Sequence, residues 1–280
     1  MKGSILVTGS KGFIGKHLLE KLSRLEIIYK EFDGDIKKTE SFGHFNNESI
    51  SRVIHLAGIS IVTESWEDPV TYYHNNTFGT LNVLEFCKEK KIPLIFISSY
   101  VYGIPDEMLI TEETPPKPNN PYAHSKYMAE QMCEFYSASY DIPITVLRPF
   151  NVYGKGQSEN FVIPHIINQV LNEDKIIIKD LNPKRDYIYV DDVADAIITT
   201  LKCEKKYSVY NVASGISHSV KELIEIIQDL ARTEKPIISE NNTRKNEINN
   251  IEVDISKTMK ELNWHPSTSI KNGLAEMLRD

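Results

Sequence analysis

One turn constrains this chain more than any other feature: Gly9-Ser10-Lys11-Gly12-Phe13-Ile14-Gly15. It lies between an apolar run, Ser4-Ile5-Leu6-Val7, and a helical stretch through His17-Leu18-Leu19-Glu20-Lys21-Leu22. A strand that turns through spaced glycines into a helix lets backbone approach a pyrophosphate, which the helix N-terminus receives with free N–H groups and a favourable dipole. The spacing is GxxGxxG, not the commoner GxGxxG. A dinucleotide reading also asks for an acidic residue about 20 positions further on, to bind the adenosine ribose. Asp33 stands 18 residues after Gly15, with Asp35 as runner-up or as an adenine contact. Asp33 should accept from a 2′-hydroxyl and repel a 2′-phosphate, which favours NAD. Lys11, inside the turn, is the one residue that argues for NADP.

The first two-thirds of the chain alternates strand and helix patterns. Glu26-Ile27-Ile28-Tyr29, Arg52-Val53-Ile54-His55-Leu56, Leu94-Ile95-Phe96-Ile97 and Ile144-Thr145-Val146-Leu147 read as strands; residues 80–86 and 127–140 read as helices. Such βαβα order predicts a Rossmann-type, doubly wound parallel sheet with its crevice at the C-terminal strand ends. Past Pro149 the pattern loosens, punctuated by Pro164, Pro183, Pro236 and Pro266. The expected division is a dinucleotide-binding domain over residues 1–150, with 190–232 partly packing back onto it. A smaller C-terminal α/β substrate domain is expected from 151–189 and 233–280.

Composition removes several classes. With 280 residues, 41% apolar and 25% charged, the chain is neither disordered nor a disulfide scaffold. A net charge of −7 without a Lys/Arg stripe argues against nucleic acid as a partner. No apolar run approaches the ~18 residues of a membrane span. No signal-peptide core precedes the first strand, and Cys87, Cys133 and Cys203 are odd in number and far apart. A cytoplasmic protein with reduced thiols is expected.

The chemistry-bearing stretch is Ser98-Ser99-Tyr100-Val101-Tyr102-Gly103, directly after a strand, followed by Pro121-Tyr122-Ala123-His124-Ser125-Lys126. Tyr122 and Lys126 are four apart, hence on one helix face. The ammonium should lower the phenol pKa from about 10, making Tyr122 a general acid/base while Ser98 polarises the same substrate oxygen. A Tyr-x-x-x-Lys pair is common by chance; position after the serine strand and the glycine turn gives this one its force.

With these residues assembled, the chain resembles the extended short-chain dehydrogenase/reductases, specifically the NAD-dependent nucleotide-sugar epimerase/dehydratase family. The glycine turn, Ser98 and Tyr122-x-x-x-Lys126 match that family's cofactor loop and catalytic triad, and its register selects Ser98 over Ser99. The resemblance further implies cofactor contacts from Leu56, Ala57 and Gly58 and from Asn76. It implies substrate contacts from Ser99, Tyr100 and Asn151, with Arg185 and Arg244 on the diphosphate. Thr63-Glu64-Ser65 with Tyr72-Tyr73 and Asn75-Asn76 resembles the 4-epimerase branch. Hydride transfer at C4 of a nucleoside-diphosphate sugar is the implied activity, by a 4-epimerase or alternatively a 4-ketoreductase. A non-catalytic dinucleotide sensor is the remote alternative. Family analogy also implies a homodimer through helices near 77–90 and 122–140.

The pattern departs in places. His55 comes only 22 positions after Asp33, so a strand beside the adenine should be trimmed or fused. The Asp-Glu pair of sugar dehydratases is absent at Ser99-Tyr100, which argues against dehydration. His55 is expected to be a strand histidine satisfied by backbone, Asp191 a helix cap, and Trp66 and Trp264 packing residues. No metal-ligand spacing occurs.

Overall fold

A computed structural model describes residues 3–203, 205–240, 242 and 250–279. The order is β1 (Ser4–Thr8), α1 (Phe13–Arg24), β2 (Tyr29–Phe32), a 3₁₀ helix (Thr39–Phe45), β3 (Ile50–His55), α2 (Val62–Glu67) and α3 (Pro69–Tyr72). A π-helical stretch (Tyr73–Phe78) then leads into α4 (Gly79–Lys90), β4 (Leu94–Ile97), β5 (Leu109–Ile110), α5 (Pro121–Tyr140), β6 (Ile144–Pro149) and β7 (Asn151–Tyr153). There follow α6 (Val162–Asn172), β8 (Ile176–Ile178), β9 (Lys184–Tyr189), α7 (Val190–Thr200), β10 (Tyr207–Val212) and β11 (Ser217–Ser219). The chain closes with α8 (Val220–Ala231), β12 (Ile237–Ser239), β13 (Glu252–Val253), α9 (Ser256–Leu262) and α10 (Ile270–Met277).

Six strands form one parallel sheet in the order β10-β6-β4-β3-β1-β2. Its strands alternate at period two between two cores. Leu6, Val53, Leu94, Phe96, Ile144 and Val146 face α4 and α5, beside Leu84, Ala129 and Cys133. Ile5, Val7, Ile54, Ile95, Ile97 and Leu147 face the opposite layer with Leu18, Leu22, Val193 and Ile197 of α1 and α7. Covered on both faces, these strands are near-continuous apolar runs, as a parallel sheet requires. No helix among the described residues is long and apolar enough to cross a membrane.

Two sequence expectations shift. The second strand is Tyr29–Phe32, not residues 26–29. Glu26 takes a left-handed turn (φ 55°) whose N–H meets Ser23 O, while Ile27 N–H meets Leu22 O. That closure consumes the apolar residues as the C-terminal turn of α1 and delays the strand. The shortness between Asp33 and His55 has a topological outcome. β2 is the sheet edge, and the 3₁₀ helix makes the crossover where a doubly wound sheet ordinarily adds an outer strand. Phe42 stacks on Phe32 at 4.5 Å and meets Phe86 at 5.2 Å, so aromatic rings fill the edge.

Beyond β6 the chain builds β7, β9 and β11 into a three-stranded sheet, pairs β8 with β12, and gathers α6, α8 and α10 around Ile166, Leu223, Ile227 and Leu274. β10 carries it back into the main sheet beside β6. Asp191 does not cap α7, whose N-cap is Tyr189. Its carboxylate instead meets His17 Nδ1 at 2.7 Å, tying α7 to α1. Neighbouring Asp192 accepts from the Ser267 and Thr268 N–H groups, docking the C-terminal segment. Trp264 packs as expected, its Nε1–H on Asp192 O, but Trp66, on the outer side of the short α2, is 64% exposed and does not.

Arg148 of β6 lies in the core, bonded to Glu130 of α5 at 2.6 and 3.1 Å and to the Tyr102 hydroxyl at 2.9 Å. Removing one partner of a buried pair strands the other charge, at roughly 3–5 kcal/mol. Arg148→Met should lower unfolding free energy by about that amount in denaturant titration, and Glu130→Leu added to it should restore much of the loss.

Candidate functional site

Polar side chains excluded from the two-sided core collect where the strands end. A cavity of about 1190 Å³ opens there, bounded by the C-terminal ends of β1, β3, β4 and β6 and by β7, β9 and α6.

One wall is the glycine turn. Gly9 has φ +72°, and a Cβ there would stand 2.5 Å from Ala57 N. A Cβ on Gly15 would stand 2.3 Å from Gly9 O. Both are therefore demanded by packing of the turn against β3 and α1. Gly12 differs: it meets only Gly9 O, at 3.1 Å, and borders the cavity with Phe13 and Ile14. No side chain caps α1 and its first turn holds no acidic residue, so its N-terminal amides stay available to an anion.

The facing wall is built by β4 and α5. Ser98 and Ser99 follow β4, both buried with hydroxyls that have no hydrogen-bond partner. Asn120 caps α5, its side chain accepting from Ala123 N–H at 2.9 Å, and Pro121 occupies the first helical position. The sequence Asn-Pro-Tyr thereby puts Tyr122 in the opening turn and Lys126 one turn deeper. Both border the cavity. The Lys126 amine rests 4.3 Å over the Phe96 ring. Burial brings its pKa down to about 8, against smaller upward pulls from Cys133 and Glu130.

The phenol's balance differs from expectation. Burial pushes Tyr122 up to about 12, the Ser99 hydroxyl pulls down and Tyr72 adds upward. Ser99 makes no complete hydrogen bond, so it acts as a nearby dipole. Lys126 does not lower this phenol, because its amine is drawn onto Phe96 beside Gly58. Desolvation wins.

Leu56 and Gly58 line the cavity below the glycine turn, and Tyr100, Asn151 and Arg185 line it toward β7 and β9. Tyr100 donates to Gly103 O, and Asn151 Nδ2 to Asp186 O at 2.9 Å. Other expected contacts stand elsewhere. Lys11 is exposed, outside the cavity lining. Asp33 and Asp35 are exposed past the end of β2, and Asp35 Oδ1 accepts from Lys37 N–H. Ala57 backs the turn, its N–H on Thr8 Oγ1 at 3.3 Å. Asn76 is fully buried and holds both backbone groups of Ile59, with Ser125 Oγ as a third partner. Arg244 lies outside the described residues. The far wall, including Gln157, His165, Lys179 and Asp180, gave no sequence signal, because these polar residues belong to no motif.

Over residues 5–213 the chain matches the NAD dependent epimerase/dehydratase family, and it belongs to that family. A GDP-6-deoxy-D-mannose reductase of Pseudomonas aeruginosa is 32% identical over all of this chain and 97% of its own. The solved structure of RMD from Pseudomonas aeruginosa with NADPH superposes with a TM-score of 0.92 at 33% identity, covering 99% of this chain and 98% of that one. A Thermus thermophilus UDP-glucose 4-epimerase with NAD gives 0.90 at 27% identity and the same coverages.

The glycine turn and the buried amine each carry a prediction. Gly9→Ala should destabilise the fold by about 2 kcal/mol or more, from strain and a backbone clash. Gly12→Ala should cost less stability than that and instead weaken dinucleotide binding, as calorimetric titration of both variants would read. Lys126 supplies the second. Its amine sits at about 8 against an ordinary 10.5, so the folded state accommodates the ammonium worse than the unfolded state does. That penalty is full below pH 8, fades between 8 and 10.5, and is gone above. It amounts to ~3 kcal/mol at about 1.36 kcal/mol per pH unit. Lys126→Met should therefore raise the melting temperature at pH 7, with the gain shrinking toward pH 10.

Proposed function

We propose that the chain uses NAD(P) to move hydride at C4 of a nucleoside-diphosphate sugar, in the first place as a 4-epimerase. The observation that carries this reading is the meeting of Tyr122, Lys126 and two unpartnered serine hydroxyls across one cavity from an uncapped glycine turn. Single ligands of drug size occupy roughly 300–1,000 Å³, and 1190 Å³ has room for a dinucleotide beside a sugar nucleotide. The residues fit the cofactor: Gly12 and the first amides of α1 would take the pyrophosphate, and Lys126 the ribose hydroxyls. When bound, its nicotinamide would accept and return the hydride.

Tyr122 would then take the proton from the C4 hydroxyl and give it back, while Ser98 stabilises the oxygen as its charge changes. With its phenol at about 12, Tyr122 needs a cation acting on it once the cleft is filled, and Lys126, one turn deeper on the same helix, would supply it. Arg185, Asn151 and, by family resemblance, Arg244 would hold the diphosphate and sugar. In this division residues 1–150, with 190–232 partly packing back onto them, would serve the cofactor, and 151–189 and 233–280 the substrate; of 190–232, α8 packs with α6 and α10 on the substrate side. Exposed Phe78, Phe135 and Tyr140 on or beside α4 and α5 support a homodimer through those helices, and three free cysteines suit the cytoplasm.

A 4-ketoreductase is the second reading. It is favoured by the missing outer strand, which leaves Asp33 and Asp35 outside the cavity, and by the NADPH carried by the Pseudomonas structure. An epimerase retains its cofactor through the cycle, whereas a reductase exchanges it. Absorbance of the purified protein separates them: NAD surviving purification supports the epimerase, and an empty protein that oxidises NADPH with a 4-keto sugar supports the reductase. Tyr122→Phe should lose about 10²–10⁴-fold in turnover with cofactor affinity kept. Unchanged turnover would remove Tyr122 from the chemistry, and a parent protein that binds the dinucleotide but turns over no nucleotide sugar would leave only the sensor reading.

A further inference from the structure

His55 ends β3 with its ring wholly buried, held by side chains where backbone was expected. Thr80 Oγ1 gives its proton to Asn76 O at 2.5 Å, so toward His55 Nε2, 3.0 Å away, it accepts. Thr8 Oγ1 receives the Ala57 N–H and has its own proton for His55 Nδ1 at 2.7 Å. Of the two neutral tautomers only Nε2–H satisfies both contacts, and it alone gives the Thr8 hydroxyl proton an acceptor at the ring. Burial and the neighbouring Lys126 charge hold the ring's pKa down to about 3.

This chain of bonds begins one residue before Gly9 and ends at Asn76. The Asn76 amide fixes Ile59 and reaches Ser125, the residue before Lys126. The ring also packs 5.6 Å from Phe96, on which the Lys126 amine rests. Lys126, from α5, is the charged group that acts on the ring; β1, β4 and α4 present it with Thr8, Phe96 and Thr80.

We propose that His55 is a positioning residue for the reaction. As a neutral bridge between Thr8 and Thr80 it fixes the Ala57-Gly58-Ile59 floor of the cofactor cleft and the aromatic seat of the Lys126 ammonium. The inference rests on the hydride-transfer reading of the cavity. Leucine here would leave the Thr8 hydroxyl proton without its acceptor, and a cation would repel Lys126.

Nitrogen NMR of the cofactor-free protein tests the bridge directly: the His55 ring should show Nε2–H and not titrate between about pH 8 and about pH 5. His55→Gln, with an acceptor and a donor at similar spacing, should keep NAD affinity, kcat and the Lys126 amine titration within about threefold of the parent. His55→Leu, folded by circular dichroism, should lose about ten- to a hundredfold in kcat, bind NAD more weakly and move the Lys126 titration. If it does not fold, Thr80→Val takes its place with the same expectation. A cationic or Nδ1–H ring overturns the proposal, as does His55→Leu with parental kcat, NAD affinity and Lys126 titration. Failure of the hydride-transfer reading shows separately, as a parent protein that turns over no nucleotide sugar while the tautomer, NAD affinity and lysine titration still report on His55.

Discussion

A parallel sheet covered on both faces leaves little room for polar groups along its central strands, the buried Arg148–Glu130 pair of β6 and α5 aside, and that exclusion organises this molecule. Leu94-Ile95-Phe96-Ile97 is buried throughout, so the first polar groups after it, Ser98 and Ser99, stand at the strand end. Thr8 and His55 close β1 and β3 in the same way. The ends of β1, β3, β4 and β6 stand at one level, and the residues that follow them, Gly9, Leu56, Ser98 and Phe150 among them, border the cavity. The site needs no long-range device to assemble it; strand register brings its walls together.

Within that space the energetics oppose one another. An ammonium held 4% exposed against a phenyl ring is poorly solvated, and the fold accepts that cost from cores that have no part in the chemistry. A phenol at about 12 beside it is equally unsuited to proton transfer in its resting arrangement. Under the proposed reaction, binding energy would have to complete the arrangement of these two groups.

Much of this is readable from the residues, for identifiable reasons. Period-two and helical patterns are local, so β4 and the helix of Tyr122 and Lys126 can be placed from sequence. Gly9 and Gly15 can be found as glycines, but only the approach of Ala57 to Gly9 and of the Gly9 carbonyl to Gly15 distinguishes their packing role from the open position of Gly12. Local pattern misplaces β2 because apolar Ile27 and Ile28 follow a helix whose left-handed closure nothing nearby announces. Asn76 and His55 sit in recognisable motifs, yet their partners lie 17 to 49 residues away. Contacts of that kind depend on which elements become neighbours. The same holds for Asp191, whose charge pairs with a helix 174 positions earlier.

The sheet that stops at β2 has one more consequence. A ligand lying across the strand ends would be clasped firmly at its phosphates and nicotinamide, but its purine would rest on an aromatic-filled rim in place of a further strand. Grip concentrated at one end would make residence time depend on the glycine turn and on Lys126. It also loosens discrimination at the other end, where the two common dinucleotides differ by a single phosphate.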